Sequence, residues 1–132
     1  MIGLDTNVLV RYLAQDDPVQ SAQATALIEQ RLSDRDRGFV SLIAMVEMVW
    51  VLDRAYRLTA RQIASAIERL LQTDILVVEH EQDVFTAMVA VKQGRGRFAD
   101  ALIAALGAKA GCSHTATFDR RTLRLPEFAP VA

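Results

Sequence analysis

The sequence predicts an α/β protein of three layers, α/β/α, with helices on both faces of a central, mainly parallel sheet. Short apolar runs of strand length recur at Ile2 to Leu4, Gly38 to Val40, Ile75 to Val78 and Ser113 to Thr117. Between them lie longer segments with apolar residues at helical spacing, which parallel neighbours need as right-handed crossovers. Helix-capping residues stand where those segments begin. No repeat or linker interrupts the pattern, so residues 1–132 read as one domain, long enough to bury a substantial core.

The first strand stops at Asp5, and Val8, Leu9 and Tyr12 then follow at helical spacing. Asp17, Pro18 and Gln20 mark a second helix as N-cap, first helical residue and capping-box partner, and it should run to about Leu32. Ser33 to Arg37 reads as a solvated turn before the strand at Gly38. Ser41 caps a third helix from Leu42 through Leu52, apolar on most of its circumference and expected to be largely buried, Trp50 included. Thr59 and Gln62 repeat the capping-box pattern for a fourth helix, with Ile63, Ala66, Ile67, Leu70 and Leu71 on its inner face. After Ile75 to Val78 a fifth helix starts near Gln82, with Val84, Phe85, Met88 and Val91 inward and Gly94 closing it. A basic loop, Gly94 to Arg97, leads into a small-residue helix, Ala99 to Ala110, with Leu102, Ile103 and Leu106 apolar and Gly111 closing it. Beyond Ser113 to Thr117 the chain turns at Phe118 to Arg121, and the tail with Pro126 and Pro130 is read as irregular but for a last short strand.

Hydrophobic residues are 52% and charged residues 23% of the chain, which excludes a disordered polypeptide. No apolar run has bilayer-spanning length, and Leu42 to Leu52 carries Glu47 at its centre. With core strand beginning right after Met1, no secretory signal is read and a cytoplasmic location is expected. The single Cys112 fits a reducing compartment and makes no soft-metal site. Net charge is −1, so no overall field draws the molecule to nucleic acid. Thirteen of the fifteen basic residues are Arg, however, and Arg95, Arg97, Arg120, Arg121 and Arg124 fall in two short segments beside acidic residues, where guanidinium forks suit phosphate oxygens.

Four acidic residues stand where packing does not call for them. Asp5 and Asp119 follow strands, whereas Glu47 and Asp100 lie early in helices, so all four are expected at the carboxyl edge of the sheet, where ligands of open α/β folds collect. Thr117, two residues before Asp119 on an extended chain, offers a hydroxyl to the same place. Each acid alone has an ordinary reading: Asp5 a helix cap, Glu47 an ion pair, Asp100 a complement to the helix dipole, Asp119 a turn residue. Together they are costly, because two unit charges roughly 4 Å apart repel by about 4 kcal/mol at an effective dielectric near 20. Such a group holds protons or cations, and oxygen-only donors select Mg²⁺ or Mn²⁺. Those ions activate water and stabilise a leaving oxygen, which is the chemistry of a metal-dependent nuclease.

The opening Ile2-Gly3-Leu4-Asp5-Thr6-Asn7, the run Glu47 to Leu52 followed by Tyr56, the segment Phe98-Ala99-Asp100-Ala101-Leu102-Ile103, and Thr117-Phe118-Asp119 together resemble the successive motifs of the PIN-domain ribonucleases. Within that family the chain is similar over its whole length to the VapC toxins of bacterial toxin–antitoxin pairs. The resemblance implies that Asp5, Glu47, Asp100 and Asp119 bind the metal, that Thr117 and Asn7 support them, and that the substrate is RNA. It also implies a homodimer and a cognate VapB-like antitoxin occupying the cleft. Arg97 departs from the pattern, standing where an acidic residue often precedes Phe-Ala-Asp, and is read as a contact to substrate phosphate together with Arg95, Arg120 and Arg121. Two other readings compete. A Mg²⁺-dependent phosphotransfer domain would need a lysine at a strand end, and Lys92 and Lys109 both fall in helices. An inactive interaction module would leave the acids as caps and ion pairs.

Overall fold

A computed structural model describes residues 1–132. The chain runs β1 (Ile2–Gly3), α1 (Thr6–Ala14), α2 (Pro18–Ala26), β2 (Gly38–Val40), α3 (Leu42–Arg54), α4 (Ala60–Leu71), β3 (Leu76–Val78), α5 (Glu81–Lys92), α6 (Phe98–Lys109), β4 (Thr115–Thr117) and β5 (Phe128–Pro130). Every strand pairing is parallel. The hydrogen-bonded strands form two groups, β1-β2-β3 in that order and β4-β5. With two residues, β1 offers few backbone groups, and they go to β2: the Ile2 and Leu4 amides donate to the Arg37 and Phe39 carbonyls. The helices of a parallel fold then cover the strands, in agreement with the expected three layers.

Local chemistry sets the helix starts. Asp17 Oδ1 accepts from the Val19 and Gln20 amides, and Ser41 Oγ from the Ala44 amide. At α4 both bonds of the capping box form, Thr59 Oγ1 accepting from the Gln62 amide and Gln62 Oε1 from the Thr59 amide. The box expected at α2 does not close, because Gln20 Oε1 accepts instead from Arg11 Nε. α2 also does not stay α-helical to Leu32: it passes into a π-helical stretch, Leu27–Arg31, which ends with the Leu32 amide on the Leu27 carbonyl.

One core of 28 buried apolar residues unites the elements, with Leu9, Ile28, Met45, Met48, Leu52, Ile67 and Leu70 among the most enclosed. Trp50 and Phe85, expected inside, are on the surface at 60% and 47% exposure, as is the apolar Ile103 at 51%. α3 buries Ala44, Met45, Met48, Val49 and Leu52, while Ile43, Glu47 and Trp50 form an open stripe at spacings of four and three. Its all-round apolar composition hid which side faces out. No helix is long and apolar enough to cross a membrane.

Candidate active site

β1 and β2 are neighbours in register, Ile2 opposite Gly38, so the helices that follow them start from one edge of the sheet. Asp5 caps α1 with extended backbone, and its Oδ1 accepts from the Thr6 amide at 2.8 Å. The buried Thr6 then donates its hydroxyl to Glu47 Oε2 at 2.9 Å. Asp5 and Glu47 are thereby joined through one residue, although 42 positions separate them in the sequence. Glu47 is exposed rather than sunk among the apolar residues of α3, and Thr6 is its hydrogen-bond partner.

Asp100 and Asp119 form a second pair. Asp100 is half-buried in the first turn of α6, and Asp119 follows β4 by two residues; both line a cleft of about 460 Å³ together with Trp50, Arg54 and Arg97. An adjoining hollow of about 310 Å³ shares Arg97, Asp100 and Asp119 with that cleft and adds Arg121 and Arg124. The two make one groove across the second acidic pair. Val46 also lines it, and Trp50 follows Glu47 by three residues on the same exposed stripe, so Glu47 stands beside this groove.

Asp119 caps a 3-10 turn over Arg120–Arg124, its Oδ1 accepting from the Arg121 amide at 2.9 Å. That backbone donor, followed by the Arg121 guanidinium and the positive charges of Arg121 and Arg97, holds the carboxyl below its ordinary value of 3.8. Asp119 therefore stays a carboxylate at neutral pH. Thr117 shapes the turn: its hydroxyl oxygen accepts from the Asp119 amide at 3.0 Å and lies 3.1 Å from the hydroxyl of Thr122, which donates to the Asp119 carbonyl at 2.7 Å. Its support of Asp119 acts through the backbone.

The structure thus brings the expected acids together as two pairs, Asp5 with Glu47 and Asp100 with Asp119. No three acidic side chains come close enough to enclose a metal ion. Asn7 is exposed and lines a separate hollow with Arg11 and Arg31. Of the expected arginines, Arg97 and Arg121 line the groove, as does Arg124; Arg95 and Arg120 are exposed outside its lining. Thr6 and Thr122 went unread in the sequence. A hydroxyl directly after a strand-end Asp was the available signal for Thr6, and nothing local marked Thr122.

A family model described as PIN domain matches residues 2–128. The chain is also similar to a VapC ribonuclease of Aquifex aeolicus (strain VF5), 24% identical over 123 residues that cover 92% of this chain and 90% of that protein. No solved structure matches it.

Proposed function

Because the chain belongs to the PIN-domain family, we propose that it is a divalent-metal-dependent endoribonuclease, a VapC-like toxin held in check by a VapB-like antitoxin. The observation that carries this reading is the arrangement of the acids: Asp5 joined to Glu47 through Thr6, beside a groove that contains Asp100, Asp119 and Arg97. Their donors are all oxygen, which fits Mg²⁺ or Mn²⁺ and not a soft metal. Asp5, Glu47, Asp100 and Asp119 would hold the ion, which supplies an activated water and charge stabilisation when bound.

The chain's own residues do the rest. Thr6 orients Glu47 by the hydrogen bond, as outer partners of metal-binding carboxylates do. Thr117 and Thr122 hold the loop that carries Asp119. Arg97, Arg121 and Arg124 give the groove positive charge for the RNA backbone, which positions substrate without reading its sequence. We place the protein in the cytoplasm as a homodimer, in line with the VapC-type reading.

The ion is tested by melting the protein with and without millimolar Mn²⁺. A ligand bound only by the folded state raises the melting temperature by mass action, and Asp100→Asn should weaken that rise. An unchanged melting temperature in the wild type would favour the inactive module.

A further inference from the structure

Arginines lie beside both acid pairs. Arg97, Arg121 and Arg124 line the groove of Asp100 and Asp119. Beside the other pair, Asn7 follows Asp5 by two residues and lines a hollow of about 370 Å³ between α1 and α2, together with Arg11, Gln20, Gln23 and Arg31. No carboxylate lines it. Arg11 is committed within the protein: its guanidinium donates to Gln20 Oε1 at 2.9 Å and pairs with Asp16 at 3.2 Å. Arg31 is exposed and belongs to none of the ion pairs of the chain. It ends the π-helical stretch Leu27–Arg31, whose wider turn sets its place in the hollow with Asn7. Such π turns are rare and concentrate at functional sites.

We propose that the hollow between α1 and α2 is a second phosphate site, which holds a backbone phosphate of the RNA beside Asp5 and Glu47, with Arg31 as its main contact. This rests on the nuclease reading and adds where the strand continues past the acids. RNA carries a negative charge at every linkage, so the phosphates flanking the cut linkage need partners other than carboxylates, which repel them. The groove supplies such partners beside Asp100 and Asp119. The hollow supplies them beside the other pair. Arg31 brings a guanidinium fork that no carboxylate of the chain occupies, and forks of this kind match phosphate oxygens. Asn7 and Gln23 bring side-chain amides, which also donate to phosphate. Arg11 adds positive charge but has little donor capacity left. Asn7 stands in the first turn of α1, where the helix dipole favours an anion as well.

The test titrates Asp5→Asn protein, which binds without cutting, and the same protein carrying Arg31→Gln with a fluorescently tagged RNA oligonucleotide at several KCl concentrations. Anisotropy of the tag gives the affinity and its salt dependence. Arg31→Gln should weaken binding between about twofold and tenfold, alike for oligonucleotides of different sequence. It should also make the slope of log affinity against log salt shallower by about one. Arg31→Lys keeps the charge and should keep the slope. Arg57→Gln removes the same charge from an exposed position outside the hollow and the groove, and should change neither. In cleavage by the otherwise wild-type protein, Arg31→Gln should raise KM and leave kcat. Affinity and slope unchanged by Arg31→Gln, or changed equally by Arg57→Gln, would overturn the second site and leave the nuclease reading standing. Unchanged RNA binding, together with polyglutamate binding that Arg31→Gln abolishes, would overturn it too and give the hollow to an acidic peptide. No binding of any RNA by the parent protein would overturn both readings.

Discussion

The Thr6 hydroxyl donates to Glu47 at 2.9 Å, fixing an exposed carboxylate of α3 to the first turn of α1. Removing that donor without changing shape should show what it does. Thr6→Val is expected to fold, to lower stability by about 1 kcal/mol, and to weaken metal affinity or cleavage by about tenfold to a hundredfold. Thr6→Ser should keep most of both. Metal titration of the two variants checks this, and equal affinity in Thr6→Val and wild type would remove Thr6 from the site.

Gly38 lies in β2 between β1 and β3, and a Cβ there would meet Leu32 Cδ1 at 2.7 Å, Leu76 Cδ2 at 2.9 Å and Leu4 Cδ1 at 3.1 Å. Those are side-chain methyls of the core, which can shift but at a cost. Gly38→Ala should therefore destabilise by about 1 to 3 kcal/mol, read from urea unfolding. No loss would mean that the core beside the sheet is loosely packed.

Asp16 accepts from the Tyr56 hydroxyl at 2.7 Å and pairs with Arg11 at 3.2 Å, tying the end of α1 to the segment after α3. The Tyr56 hydroxyl is the largest of the influences that hold the Asp16 carboxyl below its ordinary 3.8. With the folded pKa depressed, this contribution to stability is present above the ordinary value and is lost as pH falls through the folded one. Tyr56→Phe should raise the Asp16 pKa toward 3.8 but not fully, since the Arg11 guanidinium remains. A carboxyl-carbon NMR titration measures it, and an unmoved Asp16 would show that the bond does not persist in solution.

Where a residue's role is decided by its immediate neighbours, the chain was readable. Ser41 and Thr59 cap the helices expected of them, and the strands at Gly38 and Leu76 start within a residue of expectation. Gln20 shows the limit: its position suited a capping box, but Arg11, nine residues back, took its side chain. Trp50 and Phe85 failed for a related reason, because helices with few polar residues carry no label for the side that faces a cleft or solvent. The four acids were legible as interruptions and strand ends. Their division into two pairs was not, since it depends on Thr6, whose partner lies 41 residues away. The split of the strands into two hydrogen-bonded groups was likewise not marked by hydropathy.

The central claim is that Asp5, Glu47, Asp100 and Asp119 cut RNA with a divalent ion. Asp5→Asn tests it cleanly, because asparagine caps a helix about as well as aspartate and keeps an oxygen for the Thr6 amide. Cellular RNA is incubated with wild type and with Asp5→Asn, in Mg²⁺, in Mn²⁺ and in EDTA, and circular dichroism confirms the mutant's fold. Discrete fragments are expected from wild type with either ion, none in EDTA and none from the folded mutant. Cleavage by Asp5→Asn at the wild-type rate, or intact RNA under every condition, would contradict the account.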